Sequence, residues 1–265
     1  MNPVSLAPSD LALASSLVVL DAAISIAFGL RLHRPLLVAS ARMVVQLLLV
    51  GLVLRVVFRS GSAALTLAIA VLMIVAAARE VAVRPKQRLA GAGNYRIAGV
   101  VVAAASLATV LLALMTAIRP TPWHDPRYAI PLMGIVLGSV LNSASLALDS
   151  FLGDVVASRN KVEARLALGA PLREALAPSM REAVRKGLIP VINQMSAAGI
   201  ITLPGIMTGQ LLAGMDPLRA VEYQILLLFL LAGSSGLAAG GVVWLASRSV
   251  GDRRERLRLD RLAGR

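Results

Sequence analysis

An all-α polytopic membrane protein is the fold this sequence predicts, with about seven transmembrane helices, the N-terminus outside and the C-terminus cytoplasmic. Three observations carry that expectation. The 265 residues are 57% hydrophobic and only 15% charged, whereas a soluble domain carries about a quarter charged residues. Mostly apolar runs of about 20 residues, the length that crosses a bilayer, recur along the chain. The Lys and Arg residues crowd into alternate connections between those runs.

Seven segments qualify as spans, roughly 11–30, 36–58, 62–78, 97–118, 128–150, 188–212 and 221–246. The third is short, because its far end runs into Arg79-Glu80. The first ten residues hold no Lys or Arg, so the positive n-region of a cleaved signal peptide is missing. The first helix is therefore expected to stay as a span. Connections 31–35, 79–96, 151–187 and the tail 247–265 together hold 21 Lys and Arg, and the opposite set holds 5. The positive-inside rule makes the first set cytoplasmic. This asymmetry accounts for the net charge of +13 without nucleic acid. The tail is expected to rest on anionic headgroups. Tyr95, Trp123, Tyr128, Tyr223 and Trp244 all fall near predicted span ends, where amphipathic rings sit at headgroup level.

The sixth span is the most informative. It reads LIPVINQMSAAGIITLPGIMTGQLLAG over residues 188–214, and Pro190, Gly199, Pro204, Gly205 and Gly209 interrupt it. Proline removes a helical hydrogen bond. Lipid cannot satisfy the groups so freed, so the segment must be buried in protein or line a wet cavity. Such breaks mark transport paths, although small residues also pack helices closely. Asn193, Gln194, Thr208 and Gln210 supply oxygen ligands there, and Met195 and Met207 add thioethers. Pro204, Gly205 and Gly209 form the helix break, with Met207, Thr208 and Gln210 expected beside the path.

Other polar groups lie within spans. Asp21 sits near the middle of the first, where a carboxylate is costly and usually paired or functional. Arg42 lies within reach of it in the second, and Gln46 follows one turn later on the same face. A structural pair and a path site both fit. The fifth span carries Gly134, Gly138, Asn142, Ser145 and Asp149 as one stripe, so Asn142 faces either a path or a neighbouring helix. Gly233, Gly236 and Gly240 in the seventh read as packing. The loop 151–187 reads as helix, Gly169, helix, with Val155, Val156, Val162 and Leu166 on one face and Pro171 opening the second helix. It is either a solvated hairpin or a docking knob.

No Cys and only His33 and His124 occur, so no thiolate or histidine-rich metal cage is expected. No H-E-x-x-H or G-x-S-x-G sequence is found, and no catalytic residues are assigned. No G-x-x-x-x-G-K-[ST] phosphate loop is present, so ATP is not cradled here by that route.

Two motifs carry a resemblance. Glu163-Ala164 with Gly169 resembles the start of the EAA loop of ABC-transporter permeases, with Arg165 at the usual second Ala. Leu203-Pro204-Gly205-Ile206-Met207-Thr208-Gly209-Gln210, Ala213-Gly214-Met215-Asp216-Pro217 and Tyr223-Gln224-Ile225 resemble the signature of the FetB-like (UPF0014) permeases. Arg42-Met43-Val44-Val45-Gln46-Leu47, Pro131-Leu132-Met133-Gly134 with Gly138, and Leu168-Gly169-Ala170 fit the same family. Ile206 stands where that family commonly has a second Met. The resemblance implies a single permease domain over 1–265 in the bacterial cytoplasmic membrane. It further implies a homodimer exporting iron or another metal, with ATP and Mg on a separate P-loop ATPase. Glu163, Arg165 and Gly169 would then couple to that ATPase. A nucleotide-sugar exporter and an ATP-independent secondary transporter using Asp21 are the alternatives.

Overall fold

The computed structural model describes residues 7–252 and 254–264. Two compact units are distinguished, Met1–Gly61 with Leu212–Gly214, and Ser62–Leu211 with Met215–Arg265.

The first unit is a helical hairpin of α1 (Pro8–Ala27) and α2 (His33–Ser60). The Asp10 carboxylate accepts the Ala7 N–H at 2.8 Å and holds one end of α1. Ser25 accepts the Leu32 N–H at 2.9 Å across the turn. Gly61, at φ 59°, ends α2 in the left-handed region that glycine occupies without strain. Apolar side chains surround both helices, yet among the described residues only Ala22, Ser25 and Val57 are buried in them. A helix apolar on every side and not buried in protein belongs in lipid.

The second unit begins with α3 (Ala63–Val83), β1 (Gln87–Leu89) and α4 (Gly93–Ala113), which runs on into a π-helical turn, Leu114–Ile118. It continues with α5 (Pro126–Ala157), α6 (Arg159–Ala167), α7 (Leu172–Ala197), α8 (Gly205–Leu212), α9 (Pro217–Ser249) and β2 (Leu262–Gly264). Ser62, Asp125 and Asp216 start α3, α5 and α9 by accepting backbone N–H groups of the first turn. At the centre, α5 packs against both α7 and α9. Leu148, Phe151, Leu152, Val155 and Leu176 are fully buried there. The closest approach lies at Gly187. A Cβ on it would stand 2.9 Å from the Ala147 Cβ, 2.9 Å from the Ser143 carbonyl and 3.0 Å from the Ala239 Cβ.

Among the described residues, six helices are long and apolar enough to cross a membrane: those at Ser9–Ala27, His33–Ser60, Ala63–Val83, Gly93–Ile118, Pro126–Ala157 and Pro217–Ser249. The chain is a multi-pass, all-α membrane protein. The expected sixth span differs in kind from the others. It is the end of α7, a turn at Ala198–Pro204, and then α8. The expected loop 151–187 is continuous with the helices on either side, since α5 extends through Ala157 and α7 begins at Leu172. Only α6 and its flanking turns interrupt them. Likewise α3 passes the expected end at 78, because Glu80 pairs with Arg84 and Arg79 at 3.8 and 3.9 Å and carries the charges on the last turn.

A short antiparallel ribbon, Gln87–Leu89 with Leu262–Gly264, was not legible in the sequence. It ties the tail to the α3–α4 connection. Asn94, nearly fully buried, clips the same corner by accepting the Leu89 N–H and donating to the Ala82 carbonyl. The tail thus folds back on the bundle instead of lying free. Leu257, Leu259 and Leu262 pack against the core between the arginines.

Candidate functional site

The α7 helix carries Pro190, which has no N–H for the Lys186 carbonyl, and runs on to Ala197. Beyond Ala197 the chain turns sharply, with Gly199 at φ 84°. The Ala197 carbonyl then accepts the Ile201 and Thr202 N–H groups, each at 3.0 Å, and the Thr202 hydroxyl at 3.3 Å. Gly199 donates to the Thr202 carbonyl at 2.9 Å. The break therefore satisfies much of its own backbone, as a non-helical segment in a membrane must.

The depth of the break follows from helix rise. Val191 of α7 and Leu231 of α9 line one groove. The helix α7 ends six residues past Val191, while α9 begins 14 residues before Leu231. At 1.5 Å per residue, α7 stops roughly 12 Å short of the level where α9 starts. The turn lies within the span of the bundle.

That groove, of about 200 Å³, is lined by Ile135, Ser139, Asn142 and Ser143 of α5, Pro190, Val191 and Gln194 of α7, and Leu231 of α9. Two expected residues, Asn142 and Gln194, meet here, and both remain exposed at its mouth. Ser139 and Ser235 share a hydrogen bond of 2.7 Å between α5 and α9. Pro190 joins them from the expected helix break, whereas Ser139 and Ser143 were not singled out in the sequence. Ser139 lies one turn before Asn142 on the same face, so the stripe reasoning could have included it.

The other expected residues spread out. Asn193 is exposed on α7 next to Gln194. Met207, Thr208 and Gln210 are half-buried on α8. The Thr208 hydroxyl donates to the Pro204 carbonyl at 3.2 Å and so serves its own helix first. The buried Gln210 Oε1 has no hydrogen-bond partner, and neither does that of Gln224, which is 6% exposed. A buried orphan oxygen costs free energy unless a ligand or water meets it. In the sequence Gln224 stands out only as part of the Tyr223-Gln224-Ile225 motif.

Asp21, Arg42 and Gln46 sit in the first unit, all exposed. The pairing expected of Asp21 and Arg42 does not occur, since neither has an ion-pair partner within 4 Å among the described residues. Asp149 is structural. It accepts the Lys86 N–H at 2.8 Å and fixes the α3–α4 connection to α5. The glycine stripes also differ from expectation. A Cβ added at Gly138, Gly233, Gly236 or Gly240 would meet nothing within 4 Å, and the tight crossings fall at Gly187 and at Gly241, where a Cβ would stand 3.1 Å from Val101. No group of three or more His, Cys, Asp or Glu stands together among the described residues.

At the bundle end that carries β1 and the tail, α6 turns through Leu168 and Gly169 into α7. Gly169 adopts φ 88°, and Leu168 is 88% exposed. Glu163 pairs with Arg159 at 2.7 Å on the exposed face of α6. Val155 and Val162 are buried as the expected face requires, while Val156 points outward. Glu163 and Gly169 share a second groove with the tail residues Arg254, Glu255, Arg256 and Leu257. The Glu255 carboxylate accepts the Leu172 N–H at 2.6 Å at the start of α7, where the helix dipole favours an anion. Three of the four expected cytoplasmic connections thus gather at one end.

A bundle of bilayer-length helices with one span broken in its interior is a polytopic membrane protein with a polar groove beside the break. The comparisons carry this further. The profile of the uncharacterised protein family UPF0014 matches residues 8–250, and the chain belongs to that family. A UPF0014 membrane protein of Synechocystis is 38% identical over 77% of this chain and 78% of its own. The probable iron export permease protein FetB of Escherichia coli is 30% identical over 97% of both chains. The UPF0014 membrane protein STAR2 of rice is 34% identical over 85% of this chain and 77% of its own. No solved structure matches.

Proposed function

We propose that this chain is the permease subunit of an ABC transporter that exports a metal ion, iron foremost, as a homodimer driven by a separate P-loop ATPase. The likeness to the E. coli probable iron export permease over 97% of both chains carries the reading. The bundle end bearing α6, β1 and the tail faces the cytoplasm, in keeping with its Lys and Arg content. Glu163, Arg165 and Gly169 present the coupling surface, and ATP and Mg stay on the partner.

The course of α7 supports a mechanical role. One helix runs from the coupling turn at Leu172 to Gln194 in the groove. It crosses α5 and α9 at Gly187, roughly 22 Å from its start and 15 Å from its end. A tilt about that crossing moves the two ends in opposite directions. Closure of the ATPases would thereby shift Pro190 and Gln194 and open or shut the path past Asn142, Met207, Thr208 and Gln210. Oxygen ligands with few fixed charges make a weak site, as release demands.

The test is co-purification with the candidate ATPase, reconstitution, and titration of ATP hydrolysis with Fe(II), other divalent metals and UDP-glucose. Stimulation by iron is the expected result. Stimulation by the sugar alone would replace the substrate, and failure to bind any ATPase would overturn the ABC assignment.

A further inference from the structure

The folded tail builds a cavity that the transport reading does not use. It measures about 680 Å³ and lies between the end of α9, the start of α7 and the tail residues 251–252, 254–256 and 261. Arg173, Arg248, Arg254, Arg256 and Arg261 line it, against Asp252 and Glu255. Both acids are already engaged. Asp252 accepts the Arg254 and Arg256 N–H groups at 2.8 and 2.9 Å and pairs with the Arg256 side chain at 3.4 Å. Glu255 holds the Leu172 N–H. The Arg261 guanidinium is fixed by the Ser249 and Gly251 carbonyls at 3.2 and 2.9 Å. Arg173, Arg248 and Arg254 have no carboxylate partner among the described residues. Three guanidinium groups around one open cavity thus pair with no carboxylate among the described residues, and guanidinium geometry suits phosphate oxygens.

The other wall is apolar. Trp244, 45% exposed, stacks under the Arg248 guanidinium at 3.9 Å, and Leu176 and Met180 complete that side. Trp244 stands 1.5 turns before the end of a bilayer-spanning helix, at headgroup level. A ligand here meets arginines at one end and hydrocarbon at the other.

We infer that the cavity between α7, α9 and the folded tail binds a phosphate-bearing anion, supplied by the headgroup of an anionic phospholipid. The site is independent of what the protein transports. It explains why an arginine-rich tail is folded into an ordered shape: the fold presents its cations together at the bilayer surface.

The full chain carrying Trp123→Phe, which leaves Trp244 as its single tryptophan, is placed in phosphatidylcholine nanodiscs. These contain equal fractions of either brominated phosphatidylglycerol or brominated phosphatidylcholine, and quenching of Trp244 is measured. A preference of roughly fivefold for the glycerol lipid is expected, falling towards unity in Arg173→Gln/Arg254→Gln. The preference should persist in Arg173→Lys/Arg254→Lys and in Arg219→Gln at the opposite end. Relief of quenching by glycerol 3-phosphate at constant ionic strength would assign the site to soluble phosphates and overturn the lipid source. Equal quenching by both lipids, or a preference unchanged in the Gln variant, would overturn the site.

Discussion

Replacing Gly187 by alanine tests the crossing on which the lever reading depends. The new methyl would lie 2.9 Å from one methyl, 2.9 Å from a backbone carbonyl and 3.0 Å from another methyl. Ordinary carbon contacts begin near 3.5 Å, so three helices must part by about half an ångström. Overpacking of this kind costs about 1–3 kcal/mol. Alanine returns up to about 1 kcal/mol of helix propensity. The net expectation is a loss of up to about 2 kcal/mol, and a gap of about 1–3 kcal/mol from a helical Gly→Ala change that meets no neighbour. Gly153→Ala is the matched control, because Gly153 lies in α5 with nothing within 4 Å. It should be neutral or slightly stabilising. Thermal unfolding of the detergent-purified protein, followed by size-exclusion profile, reads both. Gly187→Ala as stable as Gly153→Ala would refute the close crossing, and with it the fulcrum.

Three further outcomes are expected. Gly169→Leu forces a bulky side chain into a left-handed backbone at φ 88°, and Glu163→Arg reverses charge on the same exposed turn. Both should abolish ATPase co-purification while the permease still folds, and a normal complex from either contradicts the coupling role. Single cysteines at Asn142, Gln194, Met207 and Gln210 should react with a small water-soluble thiol reagent when reconstituted with the ATPase. Four inert positions would remove the path. The tail should titrate late. Backbone donation from Arg256 holds the Asp252 carboxyl below its usual range, and the Arg258 guanidinium, donating from its side chain, lowers that of Asp260. Carboxylates lowered on folding stabilise the ionised form, so their contribution is complete above the ordinary carboxylate range and fades as pH falls through and below it. Limited proteolysis should find the tail protected at neutral and mildly acidic pH and released only below about pH 4. Release at pH 6 would contradict these contacts.

The expectation of membrane helices followed from long apolar runs, and six of the structural helices satisfy it. The broken sixth span was legible because proline and glycine act locally. Pro190, Gly199 and Pro204 disturb the backbone wherever the helix lies, and Gly169 likewise ends α6. Asn142 and Gln194 were each found on polarity within an apolar run. Their meeting in one groove was not legible, because it depends on how α5 and α7 cross. The same limit hid Gly187. A lone glycine is silent in sequence, while the Gly233, Gly236 and Gly240 stripe is conspicuous and meets nothing within 4 Å.

The sequence by itself determined which segments prefer lipid, which connections collect positive charge and where the sixth span must fail. These are properties of a residue and its near neighbours, set by hydration and backbone sterics. Only the tertiary structure decided that Asp149 serves the Lys86 backbone, that Asp21 and Arg42 find no ion-pair partner among the described residues, and that the arginine-rich tail folds into a cavity against Leu172 and Trp244. Each of these depends on contacts between residues far apart in the chain. Such contacts follow from helix crossings fixed by side-chain volume, which hydropathy does not encode.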